Sequence, residues 1–187
     1  MDVPEMLRQA VGEFGARVSE IQAGQWEAGT PDTEWSVRDL VSHLVSEDLW
    51  APPLFAGSTI SEVGDRFDGD VLGPDPQQAW QAASAAALAA ADAPGAMDRT
   101  VHLSFGDFPG REYALQLFAD HLIHAWDLAR AIGADERLDP ALVDACSDWF
   151  AALEDAYRSA GAIAGRPAIP AGAGAQARLL AMFGRQA

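Results

Sequence analysis

The sequence predicts an all-α fold, a helical bundle with long connections. Three observations carry that reading. Apolar residues recur at alternating spacings of three and four over several long segments, Gly and Pro punctuate the gaps between them, and alternation at period two is confined to one short stretch.

The elements follow in order. Leu7, Val11, Phe14, Val18 and Ile21 make one apolar stripe behind Pro4, which suits a first helical turn, and this helix is expected to end near Gly24. A second helix begins at "WSVRDLVSHLVSEDLW". Ser36 and Asp39 have capping-box spacing, Val37, Leu40, Val41 and Leu44 form the stripe, and Pro52 and Pro53 are expected to stop it. The third, "DPQQAWQAASAAALAAADAP", starts at Asp75 and Pro76 and closes at Pro94 and Gly95, with alanines that let a neighbour approach closely. "RTVHLSFGDF" alternates and carries the turn dipeptide Gly106-Asp107, so a short hairpin around 100–108 is expected. A fourth helix spans about Arg111 to Ile132 and is capped by Gly133. A fifth opens on Asp139 and Pro140 and presents Leu142, Cys146, Trp149, Phe150 and Leu153, and "AQARLLAMFG" adds a short helix after a Gly/Pro-rich loop.

Composition narrows the function. A chain of 187 residues, 49% of them hydrophobic, suits a single domain over 1–187 with a sizeable core. Its formal charge is -16, and all 12 basic residues are Arg. Such a surface repels phosphate backbones and anionic lipid, so neither nucleic acid nor membrane is an expected partner. "MDVPEMLRQA" lacks the pattern of a secretory signal, and "AASAAALAAADA" is too short to span a bilayer, so the expected location is cytoplasmic. The lone Cys146 agrees with a reducing compartment and reads as a packed thiol.

The fourth helix poses a question. "FADHLIHAWDLARAIG" places Asp120, His121, His124 and Asp127 within about two turns of a helix that also carries an apolar stripe. Each is costly to bury without a partner. Asp120, His124 and Asp127 line up with Tyr113 beside Leu117, Leu128 and Ile132, while His43, Glu47 and Trp50 share a face of the second helix. Bundles build metal sites from inward groups on facing helices, and two imidazoles with one carboxylate suit Zn²⁺, with Ni²⁺ or Fe²⁺ compatible. The residues alone leave other readings open: His43 as a satisfied interior histidine, and Asp120 with His124 as an ordinary helix pair. Trp126, Trp149 and Trp80 read as packing, and His102 as a hairpin residue. Asp127 is placed to hold a ligand imidazole or to pair with Arg38 or Arg130. Nucleophile-elbow, phosphate-loop and dinucleotide motifs are absent from the sequence.

"EWSVRDLVSHLV" and "LIHAWDLARAIG", with "SFGDFPG" between them and "ARLLAMFGR" near the end, resemble the actinobacterial metal-binding branch of the DinB-like superfamily. That branch is related to the N-terminal domain of mycothiol-dependent maleylpyruvate isomerase. The resemblance implies a four-helix bundle whose divalent metal is held by His43, Asp120 and His124. The isomerase-like proteins carry Glu where this chain has Asp120, one methylene shorter, and His121 has a spacing that could replace or supplement it. The implied chemistry is thiol activation. A small thiol, mycothiol by resemblance, would attack a small electrophile in an isomerase or S-transferase reaction, with Glu47 as general base or as a fourth ligand. The expected assembly is a monomer or homodimer. Against this stand a non-catalytic bundle whose metal is structural or sensory, and a plain helical interaction protein.

Overall fold

A computed structural model describes residues 1–32 and 34–187. The chain divides into two compact units, Met1–Ala134 and Asp135–Ala187. The first holds α1 (Val3–Glu20), α2 (Val37–Phe55), a one-turn α3 (Ile60–Val63), α4 (Pro76–Ala91), the strands β1 (Thr100–Leu103) and β2 (Gly106–Pro109), and α5 (Gly110–Ile132). The second holds α6 (Pro140–Phe150), α7 (Glu154–Ser159) and α8 (Ala175–Met182).

The four long helices of the first unit close a ring: α1 packs on α5 and α4, and α2 packs on α4 and α5. This is the helical bundle that the periodicity predicts, in the four-helix form that the family resemblance implies. The stripe of α1 is fully used, with Leu7, Val11, Phe14 and Val18 buried against the neighbours. In the second unit α6 packs on α8, and Phe150 stacks on Phe183 with centroids 4.0 Å apart.

The helix starts follow the local chemistry. Asp2, Ser36, Asp75 and Asp139 each accept a backbone N–H from the first turn that follows, and Ser36 with Asp39 completes a capping box. Helix α5 has no side-chain cap. Instead the carbonyls of Arg99 and Met97 accept the N–H groups of Gly110 and Arg111, each at 2.8 Å. That clamp requires glycine, because a Cβ on Gly110 would lie 1.9 Å from the Ala96 oxygen. At the far end Gly133 adopts φ 73° in the left-handed region, as its expected capping role requires.

Four boundaries differ from expectation, the first being α6, which ends at Phe150 and leaves Leu153 outside it as the residue before α7. Helix α2 runs through Pro52 and Pro53 to Phe55. Each proline forfeits one helical hydrogen bond at a cost of about 3 kcal/mol, but its fixed φ is helical, and the next two residues, Leu54 and Phe55, are buried and worth about 1.5–3 kcal/mol each. Helix α1 stops at Glu20, short of Gly24, where Ile21 turns to extended backbone and buries its side chain. In the hairpin Gly106 pairs with Leu103, so Ser104 and Phe105 make the turn, and Gly106-Asp107 belongs to β2. His102 pairs with Asp107 across the strands, Nδ1 to Oδ1 2.7 Å, as an ordinary hairpin residue.

Candidate metal centre

Helices α2 and α5 bring His43, Asp120 and His124 together. One ligand atom from each lies within 4.8 Å of the other two. The half-buried Asp120 carboxylate spans the gap, with Oδ2 3.0 Å from His43 Nε2 and Oδ1 3.3 Å from His124 Nε2. Aspartate therefore reaches both imidazoles despite its missing methylene. A tetrahedral ion with bonds of about 2.1 Å sets neighbouring donors about 3.4 Å apart, so these three side chains fit a divalent ion with little rearrangement.

The surroundings orient the donors. His124 Nδ1 donates to Asp127 Oδ2 at 2.9 Å, since a carboxylate can only accept, and this leaves Nε2 facing Asp120. Asp127 is fully buried, and Arg38 pairs with Asp70 instead. Burial opposes a charge on His124, but Asp120 and Asp127 outweigh it and raise its pKa to about 9. Burial likewise opposes ionisation of Asp120, yet His43 and His124 hold its carboxyl well below the usual range.

Trp35, which sequence reasoning passed over, covers the group. Its ring centroid lies 4.8 Å from that of His43 and 5.7 Å from that of His124. The loop before α2 holds it there: Trp26 and Ala28 carbonyls accept the Arg38 and Val37 N–H groups at 2.8 Å, and Gly29 bridges Ser36. The only advance signal was an aromatic one residue before a helix cap. Beside Trp35 and His43 opens a cleft of about 470 Å³, further lined by Glu34, Asp39, Ser42 and Ser46.

Glu47 and His121 stand outside the three-donor group. Glu47 is half-buried one turn after His43, and burial first, then the Asp120 charge, raises its carboxyl pKa. His121 turns into the core. It is wholly buried, its Nδ1 donates to the Leu117 carbonyl at 2.7 Å, and its Nε2 faces Asp48 at 3.3 Å. Asp48, which no sequence pattern singles out, is also wholly buried. Among the described residues the buried Tyr113 hydroxyl has no hydrogen-bond partner, and burial followed by the charges of Glu47, Asp48 and Asp120 raises its pKa well above the ordinary value. Trp80 and Trp126 pack as expected, Trp126 under the Arg130 guanidinium at 5.0 Å, while Trp149 is half-buried.

A four-helix bundle carrying two histidines and a carboxylate on facing helices defines a class, the DinB-like bundles with a candidate metal centre. Within it, this chain belongs to the family described as the mycothiol maleylpyruvate isomerase N-terminal domain, which it matches over residues 7–129. That span includes all three donors. Two proteins of Mycobacterium tuberculosis, from strains CDC 1551 / Oshkosh and ATCC 25618 / H37Rv and each called uncharacterized, are similar to it. Both are 37% identical over 142 residues, which is 76% of this chain and 74% of theirs. No solved structure matches the chain. Among the described residues no helix is long and apolar enough to cross a membrane.

Proposed function

We propose that this protein is a metal- and thiol-dependent isomerase or S-transferase acting on a small electrophile. The convergence of His43, Asp120 and His124 at the edge of a cleft is the observation that carries this reading. A divalent ion held by these three, Zn²⁺ by donor chemistry with Ni²⁺ or Fe²⁺ compatible, would supply the positive charge that favours a thiolate over a thiol. Asp127 fixes the His124 ring so that Nε2 stays available. Trp35 packs its ring against both imidazoles and limits their movement. Glu47, its pKa raised, accepts the thiol proton while the sulfur bonds to one carbon of an activated double bond, whose π pair moves to the adjacent carbon. In S-transfer that proton passes from Glu47 to the adjacent carbon; in isomerisation the new single bond rotates, the π bond re-forms and the sulfur leaves again as thiolate. The family supports a thiol of the mycothiol type, and the composition supports a cytoplasmic setting.

Elemental analysis of the purified protein tests the metal directly. His43→Ala and His124→Ala should each lose the bound ion while keeping native helicity, and unchanged metal content in both would sink the assignment. Glu47→Gln should retain the ion and lower thiol-dependent turnover by about 10²–10⁴-fold. If it loses the ion first, Glu47 is a ligand and the proton acceptor lies elsewhere.

A further inference from the structure

Apart from His43 at its inner end, the ionisable side chains that line the cleft are acidic. Its polar lining comprises His43 itself, Glu34 and Asp39, with Ser42 and Ser46, and its apolar lining includes Trp35 and Phe67. Among the described residues no arginine lines it, and the chain has no lysine. The two arginines nearest in sequence are otherwise engaged: Arg38 with Asp70 at 3.2 Å, and Arg66 over the Phe67 ring at 5.9 Å. Asp39 is committed to its ionised form, because its Oδ2 accepts the Ser36 hydroxyl at 2.6 Å and the Ser36 N–H at 2.9 Å within the capping box. Away from the three-donor group at the His43 end, a dicarboxylate entering this space would meet two carboxylates and no guanidinium or ammonium to pair with, inside a protein whose net charge is -16. At about 470 Å³ the space suits a small organic molecule, and two hydroxyls with two carboxylates suit donors such as ammonium, amide or hydroxyl groups.

We infer that the cleft selects uncharged or cationic ligands and rejects anionic ones, so that this chain's electrophile is not of the carboxylate class carried in its family's name. The inference rests on the functional reading above, since it needs the cleft to be the route to the three-donor group.

Three thiols of similar size test it: 2-aminoethanethiol, 2-mercaptoethanol and mercaptoacetate, whose second group is cationic, neutral and anionic. Each is titrated into Co²⁺-loaded protein, native and Glu34→Lys, and binding is read from the sulfur-to-cobalt absorption band. Glu34 is exposed, so the variant should fold normally. Comparing the same ratio in two proteins cancels the thiols' intrinsic affinities for cobalt. The ratio of aminoethanethiol to mercaptoacetate affinity should be roughly three- to tenfold higher in the native protein, from charges several ångströms apart in a solvated cleft, and should shrink with added salt. An equal or lower ratio in the native protein overturns the charge selection and leaves the thiol chemistry standing. Cobalt uptake with no thiol changing the band overturns the functional reading, and this inference with it.

Discussion

His121 and His124 stand one turn apart on α5, each facing a carboxylate, yet they occupy opposite kinds of place. Three residues along a helix is a rotation of about 60°. That swing carries His121 to the centre of the bundle, where α1 supplies Phe14 with ring centroids 6.2 Å away, α4 supplies Trp80 at 5.7 Å, and α2 supplies Asp48. Both side chains of this pair are 0% exposed. His124 stays on the edge of the bundle, where Asp120 and His43 remain 32% and 27% exposed and His43 lines the cleft beside Trp35. Identical residue types thus give a sealed His–Asp pair in one place and a candidate ligand set in the other. What decides between them is which helices close over the ring.

The largest effect expected is at the sealed pair. Burial disfavours the His121 imidazolium, but Asp48 outweighs it and raises the pKa, so the two act as a unit. Asp48→Ala strands that imidazole in the core and should cost about 3–5 kcal/mol in chemical denaturation. The metal content of the folded fraction should not change. Replacing both partners, Asp48→Leu with His121→Phe, should recover most of the loss, because two apolar groups need no pairing. Metal lost from the folded single variant would mean that the two histidine sites are not separate.

A smaller effect is expected behind the open group. Asp127→Asn keeps the shape and one acceptor for His124 Nδ1 but removes the charge that steadies the ring. Metal affinity, measured by competition with a chelator, should fall by about 10–100-fold, with global stability changed much less. A fall in stability as large as that of Asp48→Ala, with affinity intact, would make Asp127 part of the scaffold and blur the contrast between the two histidines.

The same contrast explains what could be read in advance. Helix identity was legible because each stripe is a local pattern backed by a local cap, as in Ser36 with Asp39 or Asp139 before Pro140. The His43, Asp120 and His124 grouping was legible because spacing puts side chains on one helix face and family likeness says which faces meet. Asp48 was not, since its partner lies 73 residues away and only the assembled bundle shows that the carboxylate points inward. Trp35 sits in a loop with no period to read. Pro52 and Pro53 misled because the burial of Leu54 and Phe55 that offsets them is a tertiary fact. Gly106-Asp107 resembled a turn, but the turn falls two residues earlier, where Val101 faces the core and sets the register.

The smallest effect expected is at Cys146, which extends the contrast to the second unit. Its thiol is fully buried in α6, and burial pushes its pKa up to about 12. A neutral form favoured by folding contributes stability that is complete below the unfolded thiol's pKa of about 8.5 and is lost as pH rises toward 12. At pH 8 almost no thiolate exists in the folded protein, so iodoacetamide should leave Cys146 unmodified for as long as the chain stays folded, and label it readily in guanidinium. Cys146→Ala should likewise leave metal content and thiol-dependent turnover unchanged. This near-zero outcome matters for the chemistry, because a thiolate is the nucleophile the proposed reaction needs. Rapid labelling of the folded protein, with turnover lost in parallel, would make that nucleophile the protein's own and remove the reason to invoke a small thiol at the cleft.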